Sequence, residues 1–85
     1  MRRKRAEWQQ PLDDEILELL ADTDIVLTPS IIAFNIDRSR EGVAHRILVL
    51  EKYGMVEKVE RGKYRISDDG EKYLKGELDA SILEK

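Results

Sequence analysis

Two helix starts stand close together in this chain and limit what it can fold into. Thr28-Pro29 pairs an N-cap hydroxyl with a proline at the first helical position, where a missing N–H costs nothing. Ser39, a second good N-cap, follows shortly after. Between them Ile32, Ala33 and Ile36 make an inward stripe, which predicts a helix from Pro29 to about Ile36. Only Asp37-Arg38 is left to turn the chain. From Arg40 onward Val43, Ile47 and Leu50 repeat at spacings of four and three, and Gly54 after Tyr53 supplies the stop.

The flanking sequence fills in around this pair. Pro11–Thr23 has Leu12, Ile16, Leu17, Leu19 and Leu20 at helical spacing, with Asp13, Asp14 and Glu15 at the end where the helix dipole favours negative charge. Ile25-Val26-Leu27 reads as a short strand. Met55–Val59 and Lys63–Ser67 read as two strands of a hairpin joined across Glu60-Arg61-Gly62, with Gly62 free to take the positive φ of a tight turn. Val56 and Val59 are three apart, so the first strand is expected to bulge or end early. Ser67 or Asp68 then caps a last helix through about Leu78, burying Tyr73, Leu74 and Leu78, and Glu71 after Asp68 resembles a capping box. The order is helix, short strand, helix, tight turn, helix, hairpin, helix. Two helices joined by so short a turn form a helix-turn-helix, and the hairpin directly after it makes it winged.

The chain has 85 residues, enough for one small α+β domain: a three-helix bundle with a short strand, a β-hairpin wing and a C-terminal helix. Residues 1–10 read as a basic arm with Trp8 as a packing anchor, 11–78 as the domain, and 79–85 as a tail or short helical extension. The hydrophobic share of 41% is too high for a disordered chain. No apolar run exceeds four residues, so no membrane-spanning helix or signal core is expected, and the cytoplasm is the expected compartment. Cysteine is absent and His45 is the single histidine, so neither disulfides nor a thiolate or zinc site is available. No glycine-rich phosphate loop exists. The acids Asp13–Glu18 resemble paired catalytic carboxylates only superficially and read as a solvated helix face. No enzyme activity, cofactor, metal or small-molecule substrate is expected.

The net charge of −3 hides a segregation. Arg2, Arg3, Lys4 and Arg5 are consecutive, whereas residues 7–24 hold seven acids and no base. From Asp37 to Arg65 eight bases face five acids, and residues 67–85 return to net −3. Bases gathered in an arm and a middle segment suit an anionic partner on one face of an acidic protein.

The stretch TPSIIAFNIDRSREGVAHRILVLEKYGMVEKVERGKYRISDDGEKYL, Thr28 to Leu74, resembles the winged helix-turn-helix family. With RAEWQQPLDDEILELL before it and KGELDASILE after it, the chain resembles the small phage phiH repressor-like regulators of haloarchaea. The resemblance implies a sequence-specific double-stranded DNA-binding repressor, with a recognition helix over 39–53 in the major groove and a wing over 59–65 on the backbone or minor groove. It also implies a homodimer, joined through helix one and the C-terminal helix, in a halophilic archaeon's cytoplasm rich in potassium salt. At about 100° per residue, Glu41, Ala44, His45 and Leu48 lie opposite the stripe of Val43, Ile47 and Leu50, with Arg40 at the edge.

Carried onto this sequence, Arg40 and His45 donate hydrogen bonds to base edges, and Glu41 accepts from cytosine or repels phosphates. Ala44 lies on the same side. Arg46 flanks the core stripe and takes a phosphate or a carboxylate. The hydroxyls of Thr28 and Ser30 hold a phosphate with the free N–H groups that start helix two. Arg61 and Lys63 lie at the wing, and Arg2, Arg3, Lys4 and Arg5 reach an adjacent minor groove. Three positions depart from the family pattern. Arg38 stands in a turn position that is usually apolar, so it snorkels or joins the DNA face; Gly42 lies in the first turn of helix three, and Phe34 where helix two is normally polar. Phe34 and Leu48 are also candidate dimer contacts. The alternative is an adaptor whose recognition face binds a protein instead of DNA.

Overall fold

The computed structural model describes residues 6–83. These form helices α1 (Pro11–Thr23), α2 (Pro29–Ile36) and α3 (Arg40–Lys52), strands β1 (Val56–Glu60) and β2 (Lys63–Ile66), helix α4 (Asp68–Leu74) and a 3-10 turn at Ala80–Leu83. The architecture is the expected α+β winged helix-turn-helix. Helix α1 packs against α2, α3, α4 and β2, so the core lies around it. Ile16, Leu17 and Leu20 of α1 meet Ile32, Val43, Ile47 and Leu50, all fully buried.

The helix ends follow from local chemistry. Thr28 Oγ1 accepts from the Ile31 N–H at 3.3 Å, Ser39 Oγ from Gly42 N–H at 3.2 Å and Ser67 Oγ from Gly70 N–H at 3.0 Å. Helices α1 and α2 both end on an aspartate in the left-handed region, Asp24 at φ 50° and Asp37 at φ 56°. Aspartate tolerates that conformation better than most residues with a side chain. At Asp37 it lets the chain leave α2 and enter α3 within three residues. Gly54, at φ 78°, ends α3 as its position predicts.

The wing is an antiparallel pair in which Val56 faces Ile66 and Lys58 faces Tyr64, while Glu60 faces Lys63. The register slips by one residue between Lys58 and Glu60, so the bulge expected from the Val56–Val59 spacing is present at Val59. Three expectations are corrected. The strand at Ile25–Leu27 shrinks to one bridge, Leu27 with Tyr64, because only the last of the three residues between Asp24, in the left-handed region, and the Thr28 cap lies alongside β2. Helix α4 stops at Leu74 instead of Leu78, because Gly76 takes φ 75° and reverses the chain. The Glu77 N–H then donates to Lys72 O at 2.8 Å, and the 3-10 turn places Ala80 in the core. No capping box forms at Asp68: Ser67 is the cap, and the residue three beyond it is Gly70.

That glycine is required by space. A Cβ on Gly70 would collide with the Met55 carbonyl oxygen and lie 2.8 Å from Ile66 Cγ1, so α4 seats directly on the base of the wing. Ser67 Oγ adds a bond to Gly54 O at 2.6 Å.

Candidate nucleic-acid interface

The acids of the first turn of α1 hold the rest of the bundle in place. Asp13 lies three residues before Ile16 and four before Leu17, in the middle of the buried stripe, and is itself fully buried. A carboxylate there needs a cation. Arg46 of α3 supplies it, with Nε donating to Asp13 Oδ1 at 2.7 Å and Nη2 to Oδ2 at 2.8 Å. Nη2 also donates to Trp8 O at 3.0 Å. The hydrogen-bonded Asp13 carboxylate raises the Arg46 pKa above its ordinary value, outweighing burial, which acts the other way. Asp14, also buried, accepts from Tyr73 Oη of α4 at 2.7 Å. Glu15 takes Arg38 from the turn, with Nη2 to Oε2 at 2.8 Å. The reading of this acidic run as a solvated face is therefore corrected at Asp13 and Asp14.

These contacts also change the set of side chains open to a partner. Of the two fates expected for Arg46, the carboxylate is the one taken, and with its side chain only 8% exposed the guanidinium is withdrawn from the surface set. Arg38 is exposed but engaged by Glu15. Thr28 spends its hydroxyl oxygen on the Ile31 N–H, so that amide is not free for a phosphate as expected; Ser30 is exposed. On the wing, Lys63 Nζ lies 3.1 Å from Glu60 Oε2, and Arg65 Nε 2.9 Å from Glu57 Oε2. Arg61, in the exposed turn between the strands, has no ion-pair partner among the described residues. Arg2, Arg3, Lys4 and Arg5 lie outside the described residues.

The outward side of α3 is open. Arg40, Glu41, His45 and Leu48 are exposed, Ala44 is half-buried, and none of the charged ones is ion-paired within the described residues. Lys52, absent from the candidates named above, continues this side at about 180° from the core stripe, where helical spacing in the sequence also puts it. Its ammonium lies 5.3 Å from the Tyr53 ring centroid, and Tyr53 stacks on Trp8 at 4.1 Å. Leu48 belongs to the same stripe, a position that helical spacing alone identifies. Phe34, at 87%, is the most exposed of the large apolar side chains described, with Ile31 three residues before it on the outer side of α2.

Among the described residues, four helices, a tight turn between α2 and α3, and a hairpin seated on α4 define a winged helix-turn-helix protein with an open third helix. More narrowly, the chain belongs to the family of winged helix-turn-helix phage repressors, whose model matches residues 1–85. It is 36% identical over 86 residues to the repressor protein of Halobacterium phage phiH, covering 96% of this chain and 97% of that one. Its fold is similar to the crystal structure of the PhiH1 repressor-like protein from Haloarcula marismortui, with a TM-score of 0.86 and 29% identity over 96% of this chain and 94% of that one. Membership of this family makes it a repressor-type, DNA-binding regulator. Among the described residues, no helix is long and apolar enough to cross a membrane.

Proposed function

We propose that the protein is a sequence-specific repressor that lays the outward side of α3 in the major groove of double-stranded DNA. The observation that carries this reading is the contrast between the paired cations around α3 and the outer side of α3 itself, which has no ion pair among the described residues. Arg38, Arg46, Lys63 and Arg65 are held by carboxylates, while Arg40, Glu41 and His45 stand exposed along one helix. Arg40 and His45 donate to base edges, with guanine the natural partner of the arginine. Glu41 accepts from the cytosine amino group. Arg61 touches the backbone from the wing, Lys63 joins it if Glu60 releases it, and the arm Arg2–Arg5 enters a neighbouring minor groove. Ser30 adds a hydroxyl to a phosphate at the start of α2. A homodimer sets two copies of α3 one DNA turn apart on an inverted repeat, and occupancy of promoter DNA represses.

The relatives from haloarchaeal sources point to a cytoplasm rich in potassium salt, where phosphate contacts are weakest. With few unpaired cations on this face, specific binding has a modest salt slope and rests on base contacts. Selection of duplexes from a randomised pool in high potassium chloride tests the proposal. An enriched inverted repeat is expected. A folded protein that enriches nothing refutes DNA reading and leaves the adaptor. Affinity that falls as steeply with salt for the enriched repeat as for random duplex refutes the mechanism.

A further inference from the structure

We infer that Leu48, with Ala44 one turn before it, reads thymine through its C5-methyl group, making this pair a specificity determinant of the DNA-binding reading proposed above, on which the inference rests. Leu48 is 58% exposed at the centre of α3, on the side away from the fully buried Val43, Ile47 and Leu50. Ala44 lies four residues before it and His45 three, so the three side chains share one patch of helix surface. Among the described residues Leu48 takes no part in the hydrophobic core, which the inward stripe of α3 fills.

An isolated exposed leucine is ordinary, but this one lies in line with residues that face base edges. The floor of the major groove offers hydrogen-bonding groups and a single kind of apolar group, the thymine methyl. Over a guanine O6 or a cytosine amino group, a leucine would strip water from a polar atom and return no bond. Over a thymine methyl it buries apolar surface against apolar surface. Leu48 therefore favours an A·T pair twice, by what it gains there and by what it costs elsewhere. The contact also uses no charge, so it keeps its strength in salt that weakens Arg–phosphate pairs.

The test uses the duplex enriched by selection, made once with thymine and once with deoxyuridine, which removes the methyl and leaves every hydrogen-bonding group. The wild-type chain is expected to bind the deoxyuridine version about four-fold more weakly for each methyl removed beneath α3, the factor that burial of one methyl represents. Leu48→Ala is expected to show a clearly smaller preference, with Ala44 keeping what remains of it, and Leu48→Asn to lose more than Leu48→Met. Equal wild-type affinity for both versions overturns the inference and leaves the DNA-binding reading standing, as does an enriched site without an A·T pair beneath α3. A folded protein that enriches no duplex overturns both. If Leu48→Ala weakens DNA binding by dissociating a dimer, seen by sedimentation, while the thymine preference persists, Leu48 is a subunit contact and the inference fails. Should the variant not fold, the wild-type comparison alone decides.

Discussion

Replacing Asp13 by alanine tests the buried pair that joins α1 to α3. The Asp13 side chain is 0% exposed and that of Arg46 8%, so solvent screens the pair little and salt should not rescue the variant. Asp13→Ala leaves the guanidinium buried with only the Trp8 carbonyl, and removes the acceptor of the Gln10 N–H, now bonded at 2.9 Å. Breaking one side of such a pair costs about 3–5 kcal/mol. A chain of 85 residues has a total stability of about 4–13 kcal/mol, so the loss is about a quarter of it or more. In urea, with an m value of about 1–2 kcal/mol/M, the midpoint followed by circular dichroism should fall by at least about 1.5 M. The double variant Asp13→Leu with Arg46→Met removes both charges and should recover most of the loss. It also separates structure from binding. If Arg46 is a buried strut, the folded double variant keeps the wild-type salt slope for DNA. A cost below about 1 kcal/mol for the single variant would refute the energetic argument. A slope reduced by about 0.9 per protomer in the double variant would show that Arg46 contacts phosphate after all.

Two other outcomes follow from particular contacts. Gly70→Ala forces α4 off the Met55 carbonyl and should cost about 1–3 kcal/mol by thermal or urea melting, even though alanine is the better helix former. A change in the stabilising direction would mean that α4 does not sit as closely on the wing as described. Arg61→Ala removes an exposed side chain with no ion pair among the described residues, so stability should move by less than about 0.5 kcal/mol. The salt slope of DNA binding should fall by about 0.9 for each phosphate that Arg61 neutralises. An unchanged slope would take Arg61 off the interface.

The ends of most elements were legible because they depend on neighbours in the chain. Thr28-Pro29, Ser39 and Gly54 act through hydrogen bonds and φ values within a few residues, and each lies where its chemistry predicts. The bulge at Val59 was visible in the spacing of two valines. The end of α4 has its signal in the sequence as well: Gly76, at φ 75°, stops the helix even though apolar spacing runs on to Leu78. The single bridge at Leu27 was harder, since strand length depends on how far the partner strand β2 reaches alongside. On the candidate interface, helical spacing identified the open side of α3, but it could not say which bases were already taken.

The sequence by itself determined the order of elements, the turn that joins α2 to α3 and the residues presented on the outside of α3. These rest on caps, proline and glycine backbone preferences and a periodicity of 3.6, all of them local. Tertiary structure decided the fate of the charges. Asp13 and Arg46 are 33 residues apart, and Asp14 and Tyr73 are 59 apart. A buried charge is acceptable only beside its partner, and that partner is chosen by how helices pack. Packing thus turned an acidic run that looks solvated into the struts of the bundle, and left Arg40 and Arg61 without an ion pair among the described residues, where a partner can reach them.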